Sequence, residues 1–239
     1  MWFWKLHQLE KEVIIMTRTK LADRTLPNYT VKEERANSIS HFAGAIISLP
    51  VLTVFPAIAA HNHNFTGVIG CTIFGACLVL LYLMSGIYHG LPQNTYVKKV
   101  FQVIDHCTIF LLIAGSYTAF VMGTLFKAEP VSAILILAII WTAAAVGIVL
   151  NAIDLKRFKV FSMCCYLMMG WLIIFKAKVL AELMGASAMT LLVVGGVCYT
   201  VGAVFYGLGK KKPYAHFVFH IFTVMGSIAH IVCAGMIFL

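Results

Sequence analysis

The sequence predicts an all-α integral membrane protein, a bundle of seven transmembrane helices with the amino terminus in the cytoplasm and the carboxyl terminus outside. Three observations carry that expectation. The 239 residues are 61% apolar and only 11% charged, a composition that excludes a secreted or soluble enzyme. The apolar residues gather into seven runs of about 20, the length that crosses a hydrocarbon core as helix. Of 18 Lys and Arg residues, 15 fall in alternate connections, so the net charge of +9 is topological. Seven precede the first run, followed by Lys98 and Lys99, then Lys156, Arg157 and Lys159, then Lys210 to Lys212. Lys127, Lys176 and Lys178 alone fall on the other side. No aromatic-interleaved basic stripe accompanies these charges, which argues against nucleic acid as a partner.

Residues 1–32 form a cytoplasmic tail. Trp2, Phe3 and Trp4 beside Lys5, with Leu9, Val13 and Met16 near helical spacing, suit an amphipathic surface helix, a loose tail, or an over-extended reading frame whose true start is Met16. No cleavable signal peptide precedes the first run, which would act as an uncleaved anchor. Residues 33–239 make the membrane domain, with spans at Phe42 to Ala60, Val68 to His89, Val103 to Leu125, Val131 to Ile153, Val160 to Val179, Ser187 to Leu208 and Tyr214 to Leu239. The fifth is the shortest in apolar terms and requires Lys176 and Lys178 to reach the interface. Spans four to six hold no acid or His in their apolar cores and read as the wall of the bundle. Asn151 and Asp154 border an inner loop, where solvation suffices. The seven cysteines contain no C-x-x-C pair and read as reduced packing residues.

The remaining polar residues gather at the inner ends of spans one, two, three and seven. Glu34, Asn37 and His41 are spaced i, i+3, i+7, one polar stripe leading into span one. Ser85 and His89 share a face at the end of span two. Asp105 opens span three, and an acid inside a membrane run is by default a functional group with a partner to be found. His216 and His220 begin span seven as H-x-x-x-H, two imidazoles one turn apart, the spacing used for zinc chelation. With His89 they form the three-protein-ligand set of a catalytic zinc site. Asp105 then holds the attacking water and takes its proton, and Ser85 hydrogen-bonds the water or a substrate oxyanion. His106 lies off that face and reads as a packing residue or a support behind the ligands. His230, about 15 Å further along the last helix, is excluded. Gly115-Ser116-Tyr117 lies too deep to share the ligand and serves helix packing. The competing reading makes the three His hydrogen-bonding glue between helices.

Three blocks together resemble the hemolysin III family within the progestin and adipoQ receptor superfamily: Glu34-x-x-Asn37-x-x-x-His41; Ser85-x-x-Tyr88-His89 with Asp105-His106 and Gly115-Ser116-Tyr117; and His216-x-x-x-His220. The likeness covers about residues 33 to 239. It implies seven helices, a cytoplasmic amino terminus, a multi-pass location in the inner (plasma) membrane, and a Zn2+ ion near the inner face held by His89, His216 and His220, with Asp105 as the acid at the water. Thr118-Ala119 departs from the family, many of whose members place Pro after the Gly-Ser-Tyr segment.

Receptor members of the superfamily are similar to lipid amidases, and the bacterial branch is named for cell lysis. The first expectation is therefore a zinc-dependent hydrolase of a lipid amide or ester, with membrane lipid as substrate. The alternatives are a membrane-lytic pore former, whose polar lumen the apolar spans do not supply, and a non-catalytic sensor of membrane lipid state. Substrate and oligomeric state are open.

Overall fold

The computed structural model describes residues 19–209 and 212–238, which are helices and their connections with no strand among the described residues. The expectations for Trp2 to Met16, and the count of Lys210 and Lys211, lie outside them. The helices are α1 (Val31–His61), α2 (Phe65–Gly90), α3 (Tyr96–Gly123), α4 (Leu125–Ala128), α5 (Pro130–Asp154), α6 (Lys159–Trp171), α7 (Ala177–Leu208) and α8 (Ala215–Phe238). A 3-10 turn, Leu172–Lys176, joins α6 to α7. Six stretches are long and apolar enough to cross a bilayer, one of them the 50 residues Lys159–Leu208. The protein is a multi-pass membrane protein.

α1 starts eleven residues before the apolar run because Thr30 and Glu33 form a capping box. Thr30 Oγ1 accepts the Glu33 N–H at 3.2 Å, and Glu33 Oε2 accepts the Thr30 N–H at 2.9 Å. Glu34, Asn37 and His41 are therefore carried on the first turns of the same rod that crosses the membrane, and all three are buried.

The 50-residue stretch does not run straight. Trp171 Nε1 donates to Thr200 Oγ1 at 3.0 Å, whereas 29 residues of straight helix would separate them by about 43 Å. The chain doubles back between them. The helical path breaks at Gly185, whose φ of 79° and ψ of 164° suit a residue without Cβ. The 3-10 turn before it has its own cause. The Tyr117 hydroxyl donates to Met169 O at 2.6 Å and accepts the Ile173 N–H at 2.7 Å. Those two backbone groups would bond to each other in an unbroken α-helix, so the phenol has entered the ladder and bent it.

α2 packs between α1 and α3, and α8 closes the bundle against α7 and α1. The approach of α1 to α2 is closest at Gly75, where a Cβ would lie 2.5 Å from the Leu52 backbone nitrogen.

Three connections and residues 19–30 meet at one end. Thr19 N donates to Asp154 Oδ2 at 2.8 Å, Lys99 Nζ donates to Ala22 O, and Tyr214 N donates to Glu33 Oε1 at 2.8 Å. The opposite end carries the Lys176–Glu129 pair at 2.5 Å.

Two expectations are corrected here. Asn151 and Asp154 are buried instead of simply solvated. Asn151 accepts from Ser162 Oγ at 2.6 Å, and Asp154 Oδ1 accepts the N–H groups of Lys156 and Arg157, each at 3.1 Å. The α5–α6 connection is thus folded over an internal carboxylate. Lys98, counted above as a loop charge, is fully buried on the first turn of α3.

Candidate metal centre

The last turn of α2 carries His89, and the first turns of α8 carry His216 and His220. Their ligand atoms all lie within 4.8 Å of one another, and all three residues are buried. His216 Nε2 stands 3.3 Å from His89 Nε2 and 3.1 Å from His220 Nε2.

The outer nitrogens of two rings are already committed. His89 Nδ1 is 2.6 Å from Glu34 Oε2, and His220 Nδ1 is 3.3 Å from the Asn37 carbonyl. A carboxylate and a carbonyl accept, so both Nδ1 atoms donate and both Nε2 atoms turn lone pairs inward. His216 Nε2 can carry at most one proton, which satisfies at most one of its two neighbours. As hydrogen-bonding glue the cluster is therefore poorly matched. As a donor set it fits a metal. A tetrahedral ion with nitrogens at about 2.0–2.1 Å has nitrogen–nitrogen edges of about 3.3–3.4 Å, close to the two separations found.

Glu34 is held in turn. Lys98 Nζ lies 3.0 Å and Gln93 Nε2 2.6 Å from its Oε1. Lys98 also donates to Leu91 O at 2.9 Å and His89 O at 3.4 Å, and so caps the carboxyl end of α2. The chain Lys98 to Glu34 to His89 is the carboxylate–imidazole support common behind metal ligands.

The other predicted residues fall around this core. Asp105 on α3 has its Oδ2 3.5 Å from His106 Nδ1, and Ser85 is buried one turn before His89. His106 donates from Nδ1 to Gln102 O at 2.8 Å, and its Nε2 accepts from the Tyr206 hydroxyl at 3.0 Å, so it supports the cavity wall. His41 stacks on His220 with centroids 3.6 Å apart. Both His41 nitrogens and both Asn37 side-chain polar atoms are buried with no protein partner. His230 hydrogen-bonds Leu192 O at 3.1 Å, away from the cluster.

Sequence reasoning missed Tyr29, whose ring stacks on His216 at 4.9 Å and 17°. It lines two cavities at once: one of about 290 Å³ with Glu34, Ser38, His89 and Gln93, and one of about 160 Å³ with Tyr206 and His216. Burial, together with Tyr206 and the Glu34, Glu33 and Asp105 carboxylates, pushes its phenol well above the ordinary value, so it remains a hydrogen-bond donor at neutral pH. Nothing in the Asn28-Tyr29-Thr30 tripeptide marked this position. Only its distance from the capping box at Thr30 fixes where it lies.

The fold and site together define a multi-pass helical membrane protein with a buried trihistidine cluster at one end of the bundle. Residues 29–231 match the Haemolysin-III related family, and the chain belongs to it. It is 41% identical over 203 residues to Hemolysin-3 of Bacillus cereus, covering 85% of this chain and 90% of that protein. Against a Hemolysin-3 homolog of Bacillus subtilis the identity is 38% over 205 residues, covering 86% and 94%. A more distant relative is the human monocyte to macrophage differentiation factor, of the progestin and adipoQ receptor family, 24% identical over 205 residues and covering 84% and 82%.

Proposed function

We propose that the chain is a seven-pass plasma-membrane hydrolase, dependent on Zn2+ and acting on a lipid amide or ester. The observation that carries this reading is the convergence of three Nε2 atoms at 3.1 and 3.3 Å, with the backs of two rings held by Glu34 and the Asn37 carbonyl. His89, His216 and His220 would hold the ion. Zinc bound there supplies Lewis acidity, lowering the pKa of water toward neutrality and polarising a carbonyl. Asp105 accepts the proton of the attacking water on its carboxylate, and Ser85 keeps that carboxylate turned toward the cluster. His106 and Tyr206 close the wall behind them.

Seven passes are supported by the doubling back between Trp171 and Thr200 and by the placement of residues 19–30 and of Phe238. Phe238 packs at Gly67, at the end of the bundle opposite His89, whereas residues 19–30 lie at the His89 end. An odd number of crossings places them so. The basic connections support a cytoplasmic His89 end.

The decisive experiment is elemental analysis of detergent-purified protein followed by turnover of lipid amides and esters. Near one zinc per chain is expected in the wild type and in Asp105→Asn, and none in a His216→Ala, His220→Ala double variant. Turnover is expected in the wild type alone. A metal-free wild type sinks the hydrolase. A second reading, membrane lysis, rests on the hemolysin name carried by the Bacillus relatives. Lysis undiminished in purified Asp105→Asn would favour it. A zinc-loaded wild type without turnover, but with altered membrane-lipid composition on deletion, would favour lipid sensing.

A further inference from the structure

The cavity of about 160 Å³ contains a cation that the metal centre does not use. Arg24, in the segment before α1, is 6% exposed and lines this cavity. Its Nη2 donates to Ile153 O at 3.2 Å, while its Nε and Nη1 are buried with no hydrogen-bond partner. A buried guanidinium with open donors is costly unless an anion meets it. The neighbouring acid is occupied, since Asp154 accepts backbone N–H groups from Thr19, Lys156 and Arg157. Among the described residues no carboxylate pairs with Arg24.

Lys156 lines the same cavity, and Asp23, exposed like Lys156, is the one acid of its lining among the described residues. Arg24 and Lys156 outnumber that acid, so among the described residues the space is electropositive. Tyr206 and His216 form its inner wall, so whatever binds there lies beside the imidazole cluster. The volume suits a headgroup-sized ion, not an acyl chain.

We propose that this cavity is an oxyanion site for a phosphate group, with Arg24 as its anchor and Lys156 as a flanking charge. A phosphate offers several charged acceptor oxygens to the open N–H donors and offsets the positive field, as arginine sites for phosphate commonly do. The proposal stands independently of any turnover at the imidazoles. The phosphate can belong to an anionic phospholipid of the inner leaflet or be free in the cytoplasm.

The test uses the full-length protein in phosphatidylcholine nanodiscs with and without phosphatidylglycerol, and inorganic phosphate titrated against chloride at matched ionic strength. Thermal unfolding and calorimetric titration are the readouts. Wild type is expected to be stabilised by one or both phosphate sources, and Arg24→Gln to bind at least tenfold more weakly with its metal content unchanged. Stabilisation by phosphatidylglycerol that free phosphate competes away identifies a headgroup site. Stabilisation by free phosphate alone identifies a soluble anion. If Arg24→Gln does not fold, Lys156→Gln must weaken binding severalfold while Arg24→Lys retains it. No response to either source in wild type, or an undiminished response in these charge-removing variants, overturns the proposal.

Discussion

Replacing Glu34 by Gln tests the support behind the metal ligands most directly. Gln cannot accept with both positions of its head, so it cannot serve His89 Nδ1, Lys98 and Gln93 as the carboxylate does at 2.6, 3.0 and 2.6 Å. Two losses follow. Loss of the carboxylate behind a ligating imidazole weakens metal binding about 10- to 100-fold, or about 1.4–2.8 kcal/mol. The Lys98 ammonium, with a side-chain exposure of 0%, also loses its counter-charge, and stranding a buried ion costs about 3–5 kcal/mol. The double variant Glu34→Gln, Lys98→Met removes the stranded charge and separates the two. It should regain most of the thermal stability while its zinc affinity stays low. Competition with a chromophoric chelator in detergent measures the affinity, and thermal unfolding of the chelator-treated protein measures the stability. Wild-type zinc affinity in a folded Glu34→Gln chain would refute the reasoning, because the imidazole would then need no carboxylate behind it.

Tyr117→Phe leaves the Ile173 N–H and the Met169 carbonyl without the hydroxyl between them. Unless the helix straightens, the cost is about 1–3 kcal/mol, read as a lower unfolding temperature and faster amide exchange at Ile173. Gly75→Ala places a Cβ at 2.5–2.7 Å from the Val51 and Leu52 backbone, which cannot rotate away. A destabilisation of about 1–3 kcal/mol is expected, and no change in unfolding would show the helices free to separate. Imidazoles ligate only when neutral, so acidification should release the metal with uptake of protons, measured by dialysis at stepped pH. Metal retained at pH 4 would exclude an all-imidazole donor set.

The clustering of His89, His216 and His220 was legible because the spacing that metal chelation asks for survives in one dimension. His216 and His220 stand one turn apart, and topology brings the end of α2 and the start of α8 to the same end of the bundle. Asp105 and Ser85 were legible for a related reason, since polar groups are rare in such apolar runs. Lys98 was not. A lysine at the inner border of a span satisfies the positive-inside rule whether it faces water or a buried glutamate, so its sequence position cannot distinguish the two. Asn151 and Asp154 failed in the same way, as polar residues beside a basic loop. The bend at Leu172–Lys176 was hidden differently, because its cause is a hydroxyl more than fifty residues away in the chain. The early start of α1 was written in Thr30-x-x-Glu33, a signal that hydropathy alone passes over.

The ordering of the chain has a consequence for its biosynthesis. Among the described long helices, Glu34 belongs to the first to leave the ribosome, His89 to the second, and His216 and His220 to α8, the latest made. The hydrogen bond from Tyr214 to Glu33 joins residues 181 positions apart. A nascent chain halted before α8 therefore owns a single imidazole of the three. On the proposed metal reading, loading would await completed insertion, and an ion held by all three imidazoles would mark a chain that has threaded α8.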